Sequence, residues 1–260
     1  MATVITVACQ KGGVSKTTSA GILAYLLSDK YKVLCIDTDQ QGNLTEMLLQ
    51  TPIRDRRLEG YLGILDAMKD ENPGEYLENL SPNLDLMPGD ENAGFFTKYL
   101  LRNVPQNKMN IVFKEMLDKL SPDYDYVIID TAPALSDMLI NCLIASDYVL
   151  AMYEPSKFCY SAMFSLYETI YSVKPLNPNL SVLGILVNLM DMRRSDNQEF
   201  YQLIKSHPEI GKDCLNNYIK RSAATGRLSY AGFYNNPEIE AAVKQYRPVL
   251  KEMLERGKKA

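Results

Sequence analysis

Short apolar runs separated by longer stretches of mixed polar and apolar residues recur along this chain of 260 residues. Val4 to Ala8, Val33 to Asp37, Leu84 to Met87, Tyr126 to Asp130, Tyr148 to Met152 and Val182 to Asn188 are nearly continuous in Val, Ile, Leu, Met and Cys. Runs of that length and density read as strands buried on both faces. A further short strand is expected near Cys214 to Ile219. The intervening stretches, beginning with Ser19 to Leu27, carry helical spacing. Such alternation predicts an α/β fold, with a mostly parallel twisted sheet flanked by helices on both faces. From Thr51 to Asn83 the pattern lapses into polar, punctuated sequence with a helix-like piece, Leu62 to Lys69, and a turn at Pro73-Gly74. That stretch is expected to be a mobile excursion and not a second domain. No internal repeat interrupts the chain, so residues 1–260 are expected to form one domain.

The junction of the first strand and the first helix carries the sharpest chemical signal, Lys11-Gly12-Gly13-Val14-Ser15-Lys16-Thr17-Thr18. A strand that ends in a glycine-rich turn before a helix aims several backbone N–H groups and the helix N-terminus at one point, where phosphate is stabilised. This predicts a loop for a nucleoside triphosphate, with Lys16 on the β- and γ-phosphates and the Thr17 hydroxyl on Mg²⁺. Two strands end in acids, at Asp37-Thr38-Asp39 and at Asp130. Carboxylates at the ends of parallel strands face the crevice where open α/β sheets bind ligands. Asp130 is expected to hold Mg²⁺ through water. Asn188, at another strand end, is the candidate contact for the adenine base. A strand-end Asp by itself is more often a cap or turn residue; three elements in the right order favour the site.

The early lysine, Lys11, adds a resemblance: KGGxxKTT resembles the deviant Walker A loop of the ParA/MinD family of P-loop ATPases. Asp37 to Thr45 is similar to that family's D-x-D-P-Q-G-N-x-T segment, with Gln40 in place of proline. Asn83 to Gly89 resembles its N-L-D-L-I-P strand and turn, and Asp130 to Val149 follows its D-T-P-P…A-D-x-V course with Ala132 in place of the first proline. The resemblance implies that two chains close face to face on ATP, with Lys11 crossing to the partner's phosphates and Gly12 allowing close approach. It also implies that Asp39 positions the attacking water and Asp37 supports the Mg²⁺ shell. Ser15 departs from the pattern, which has glycine there; glycine tolerates φ > 0 and a close approach to phosphate.

Within that family, partitioning of chromosomes or plasmids and placement of the division site share one ATP site, so charge outside the site matters. Residues 191–260 hold 13 Lys and Arg against 9 Asp and Glu, while residues 1–190 hold 15 against 23, within an overall net charge of −4. Arg193 and Arg194 lie in a segment similar to the ParA stretch G-V-L-x-T-M-x-D-x-R, and Lys220 and Arg221 in one similar to I-P-R-S. With Arg227 they form the candidate face for non-specific DNA. The function expected is a Mg²⁺-dependent, homodimeric DNA-partitioning ATPase, cytoplasmic and nucleoid-associated, stimulated by a ParB-type centromere-binding protein. The alternative is a MinD-like ATPase held on the membrane by a C-terminal amphipathic helix within Pro237 to Ala260. Ile239, Val243, Val249, Leu250, Met253 and Leu254 have helical spacing there and are expected to pack on the core.

Cys9, Cys35, Cys142, Cys159 and Cys214 show no C-x-x-C spacing and read as small core hydrophobes in a reducing compartment. His207 is the only histidine, which argues against a histidine metal site. No apolar run reaches the roughly 20 residues that span a bilayer. The first strand begins close to the start of the sequence, so an N-terminal helix-turn-helix is not expected.

Overall fold

A computed structural model describes residues 2–258. Seven strands form one sheet: β1 (Thr3–Ala8), β2 (Val33–Asp37), β3 (Glu78–Ser81), β4 (Leu84–Met87), β5 (Tyr126–Asp130), β6 (Tyr148–Tyr153) and β7 (Ser181–Val187). Their order is β3-β4-β2-β5-β1-β6-β7, and every pair is parallel except β3 with β4. Successive side chains of a strand alternate between faces. In β2, Val33 and Cys35 therefore join one apolar layer while Leu34 and Ile36 join the other; in β5, Ile128 faces the first layer and Val127 and Ile129 the second.

The first layer is closed by the helices Lys16–Leu27, Lys157–Val173 and Tyr246–Gly257, the second by Phe96–Asn103 and Val112–Leu120. The five cysteines are buried free thiols. Helix Lys16–Leu27 lies between the sheet and outer helices, so most of its residues are buried. A Cβ on Gly21 would come within 2.8 Å of the Met47 Cε, which is why the smallest residue stands at that crossing.

Two expectations need correcting. The stretch 51–83 holds the helices Ile53–Leu58 and Ile64–Ala67, the second within the helix-like piece expected at Leu62 to Lys69, but it ends in a strand that was not expected, β3, which pairs with β4 as a hairpin. Its Glu-Asn-Leu-Ser sequence is polar because an edge strand faces water on one side. The strand expected at Cys214 to Ile219 is reduced to isolated bridges, Ile185 with Cys214 and Met190 with Lys220. Leu215 N and Ile219 N still donate to the β7 carbonyls of Ile185 and Val187, but Asn216 N and Asn217 N turn away to the Glu252 carboxylate.

Candidate nucleotide site

The loop after β1 is built to leave donors free. Gly13 has φ 80° and Ser15 has φ 61°, so the chain turns through two left-handed residues before the helix begins at Lys16. Ser19 N donates to Ser15 O at 3.0 Å as the helix starts. The N–H groups at the very start of a helix have no partner inside it and point outward, where anionic oxygen is favoured. Glycine carries no penalty at Gly13. A Cβ in the left-handed region costs about 1–2 kcal/mol, so Ser15 holds the turn under strain that glycine would relieve.

The crevice in front of this loop encloses about 530 Å³ and is lined by Gly12, Gly13, Ser15, Lys16, Thr17, Asp39 and the 132–134 turn after β5. That volume suits a small-molecule ligand. Lys16 is buried, and its ammonium donates to the Lys11 carbonyl at 3.1 Å, folded back over the loop.

Asp37 and Asp130 end neighbouring strands in register. Asp37 is buried and its oxygens are taken: Oδ1 accepts from Asp39 N at 3.1 Å, and Oδ2 from Thr45 N at 2.9 Å and the Thr45 hydroxyl at 2.8 Å. Burial nevertheless pushes its pKa up to about 6, against the pull of those bonds. Asp130 is the opposite case. Both of its oxygens are buried without a hydrogen-bond partner. Burial raises its pKa well above the usual carboxylate range and the Asp37 charge adds to that; the Thr17 hydroxyl, near enough to pull it down though it forms no hydrogen bond of ordinary geometry, and the Lys16 ammonium oppose the rise.

An orphaned buried carboxylate is costly unless something compensates it. The carboxylate oxygens and the Thr17 hydroxyl beside them are hard donors of the kind that fit a divalent cation such as Mg²⁺. Asp39 stands at the edge of the crevice with Oδ1 accepting from Gln41 N at 3.0 Å.

Gly12, Gly13, Ser15, Lys16 and Thr17 thus line the crevice with Asp39, beside the strand ends that carry Asp37 and Asp130, whereas Lys11, Val14 and Thr18 do not line it: Val14 is buried and the Lys11 ammonium is turned to Glu154. Asn188 stands apart. It lies just past β7, is buried, donates to Val14 O at 3.3 Å and to the Ser19 hydroxyl at 3.4 Å, and accepts from Leu189 N at 2.8 Å. Its amide braces the loop from behind, and reaching a base requires those bonds to break.

Thr45, Gly89 and Glu154 also shape the site. Thr45 receives Gly89 N on the same hydroxyl that binds Asp37, and a Cβ on Gly89 would sit 2.7 Å from the Asp37 Cγ. Gly89 is therefore the residue that lets the β4 turn close on the acid. Lys11 lies 3.8 Å from Glu154 and 3.5 Å from the Ser156 hydroxyl of its own chain.

The expected DNA face is not a bare basic patch. Arg193 pairs with Asp191 through two hydrogen bonds of 2.9 Å, Arg194 pairs with Asp196, Arg227 with Glu238 at 2.8 and 2.9 Å, and Arg221 with Glu154 at 3.5 Å. Lys220 anchors its backbone on Gln245. The arginines stay exposed, Arg193 at 90% of its side chain.

A family model described as an AAA domain matches residues 2–182. The uncharacterized protein MJECL24 of Methanocaldococcus jannaschii is 33% identical over 244 residues, 90% of this chain and 93% of that protein. The chromosome partitioning protein ParA of Caulobacter vibrioides is 26% identical over 272 residues, covering 99% of this chain and 97% of its own. Among solved structures, the ATP complex of an McdA variant from Cyanothece superposes with a TM-score of 0.80 at 25% identity, over 98% of this chain and 96% of that one.

Proposed function

Because the chain belongs to the ParA/MinD/Soj family of deviant Walker A P-loop ATPases, we propose that it partitions DNA by an ATP-driven cycle of pairing, DNA binding and release. Membership makes it an ATP-hydrolysing enzyme of the partitioning type. One domain, residues 1–260, would carry the whole cycle. The observation that carries the reading is the buried, unpartnered Asp130 carboxylate beside Lys16 and Thr17 at the mouth of the glycine-rich loop.

In the proposed cycle Lys16 and the N–H groups of residues 12–18 hold the phosphates, and Thr17 with Asp130 holds Mg²⁺. The cation supplies charge neutralisation on the phosphates. Asp39 orients the attacking water, while Asp37 acts through the segment it fixes, since Thr45 and Asp39 N already use its oxygens. Lys11 exchanges Glu154 for the phosphates of a second copy, and Gly12, which has open space around it, allows the close approach. Adenine contact by Asn188 requires the side chain to leave Val14 and Ser19.

Arg193, Arg194, Lys220, Arg221 and Arg227 then bind DNA phosphate in place of their present carboxylates. Exposed pairs are weak and screened by salt, so the exchange costs little. A ParB-type adaptor would accelerate hydrolysis. The MinD-like alternative draws less support: Ile239, Val243, Val249, Leu250, Met253 and Leu254 all belong to or pack on the core. Lys259 and Ala260, the last residues of that segment, lie outside the described residues.

The test is sedimentation and DNA retention with Mg²⁺ and a non-hydrolysable ATP analogue. Pairing and DNA binding that both require the analogue are expected. A chain that stays single at saturating analogue, or holds DNA equally without it, would refute the cycle.

A further inference from the structure

β6 ends at Tyr153, and the chain turns through Glu154-Pro155-Ser156 into helix Lys157–Val173. That turn is held from several sides. The Ser156 hydroxyl caps the helix by accepting from Cys159 N at 3.4 Å, and Cys159 Sγ accepts from Glu154 N at 3.3 Å. The Pro155 carbonyl accepts from the buried Asn197 amide at 2.8 Å, whose Oδ1 in turn accepts from Asp191 N at 3.1 Å. With its backbone fixed, the Glu154 carboxylate is aimed between two cations from distant parts of the chain. Oε2 lies 3.8 Å from Lys11 Nζ and Oε1 lies 3.5 Å from Arg221 Nη2. Lys11 and Glu154 are both largely covered, with side chains 30% and 23% exposed, so their attraction is screened less than that of an open surface pair.

We propose that Glu154 is a positioning residue for the ATPase cycle: it holds Lys11 on its own chain until the triphosphate of a second copy takes it. The inference rests on the reading that Lys11 acts across a pair of chains, and it adds a resting partner that the new contact must displace. The partner sits 143 residues away in sequence from Lys11. An anion that binds the resting form of Lys11 and not its transferred form must oppose pairing by the free energy of that interaction. Neutralising Glu154 therefore favours the paired form.

The experiment is sedimentation velocity of the parent, Glu154→Gln, Lys11→Ala and the double variant, each with Mg²⁺ and a non-hydrolysable ATP analogue at low and high salt. Glu154→Gln is expected to pair at about two- to five-fold lower protein concentration than the parent at low salt. The gain shrinks as salt rises and is absent on the Lys11→Ala background. Equal pairing by Glu154→Gln and the parent, where Lys11→Ala has abolished pairing, overturns the proposal and leaves the role of Lys11 standing. A gain that is the same at both salt concentrations also overturns it, since it would then come from packing. Analogue-driven pairing that survives Lys11→Ala overturns the reading beneath.

Discussion

At the nucleotide crevice a carboxylate is buried with neither oxygen satisfied, whereas on the arginine face each guanidinium rests in the open against a carboxylate, which Arg221 shares with Lys11. Asp130 is held in an unfavourable state by the sheet around it, and a cation relieves that state on arrival. Arg193, Arg194, Arg221 and Arg227 are already satisfied, so a polyanion must compete for them. The first region is a preformed site of fixed geometry. The second is a reserve of charge that becomes available by exchange, and its strength must vary with salt.

The largest effect expected from breaking this contrast is at Lys16. Replacing it with Ala removes a buried charged donor and should weaken ATP binding by about 100-fold. Calorimetric titration returning the parental affinity would move the nucleotide elsewhere. Next is the pair Arg193→Ala with Arg221→Ala, which should weaken analogue-dependent DNA binding by roughly 10-fold and flatten its salt dependence by about one unit of slope for each phosphate no longer neutralised. An unchanged slope would show that these arginines do not meet phosphate.

Acidity sharpens the other side of the contrast. Asp37 titrates at about 6 and Asp130 is raised well beyond the usual range, so without nucleotide the folded chain holds protons that the unfolded chain has released. The share of Asp37 is complete below the ordinary carboxylate pKa of about 4 and is lost as pH rises through about 6; the share of Asp130 is lost as pH rises toward its own, raised pKa. Asp130→Asn lacks part of that loss. The melting temperature of the nucleotide-free parent should therefore fall relative to Asp130→Asn as pH rises; parallel curves would mean that Asp130 ionises in the fold as readily as in the unfolded chain. The smallest effect is Ser15→Gly. Relief of the left-handed strain exceeds the added chain entropy by about 0.5 kcal/mol, read as a slight rise in melting temperature, whereas a fall would show that serine makes an interaction worth more than the strain.

How much of this is legible in sequence follows the same division. β2, β4 and β5 begin and end where the apolar runs do, because strands covered on both faces must be apolar throughout and stop where an acid, proline or glycine meets the ligand crevice. The loop residues 11–18 are legible because the backbone geometry that frees N–H groups needs a fixed local spacing. β3 escapes such a reading because a polar edge strand looks like a loop until its partner is known. The Arg193–Asp191 pair lies within three residues and can be suspected; Glu154 with Lys11 and Arg221 cannot, since the carboxylate comes from a turn that only the parallel order β1-β6-β7 brings beside both. The bracing of Asn188 behind the loop is likewise a product of packing, with no local sequence mark.

β2 and β5 finish level with each other, Asp37 opposite Asp130. Inserting or deleting a single residue within either strand would turn its terminal acid to the opposite side of the sheet. The reaction centre can thus be retuned by exchanging one side chain for another, but lineages of this chain are barred from lengthening or shortening those two strands; changes in size must accumulate in the hairpin at the far edge and in the surface helices.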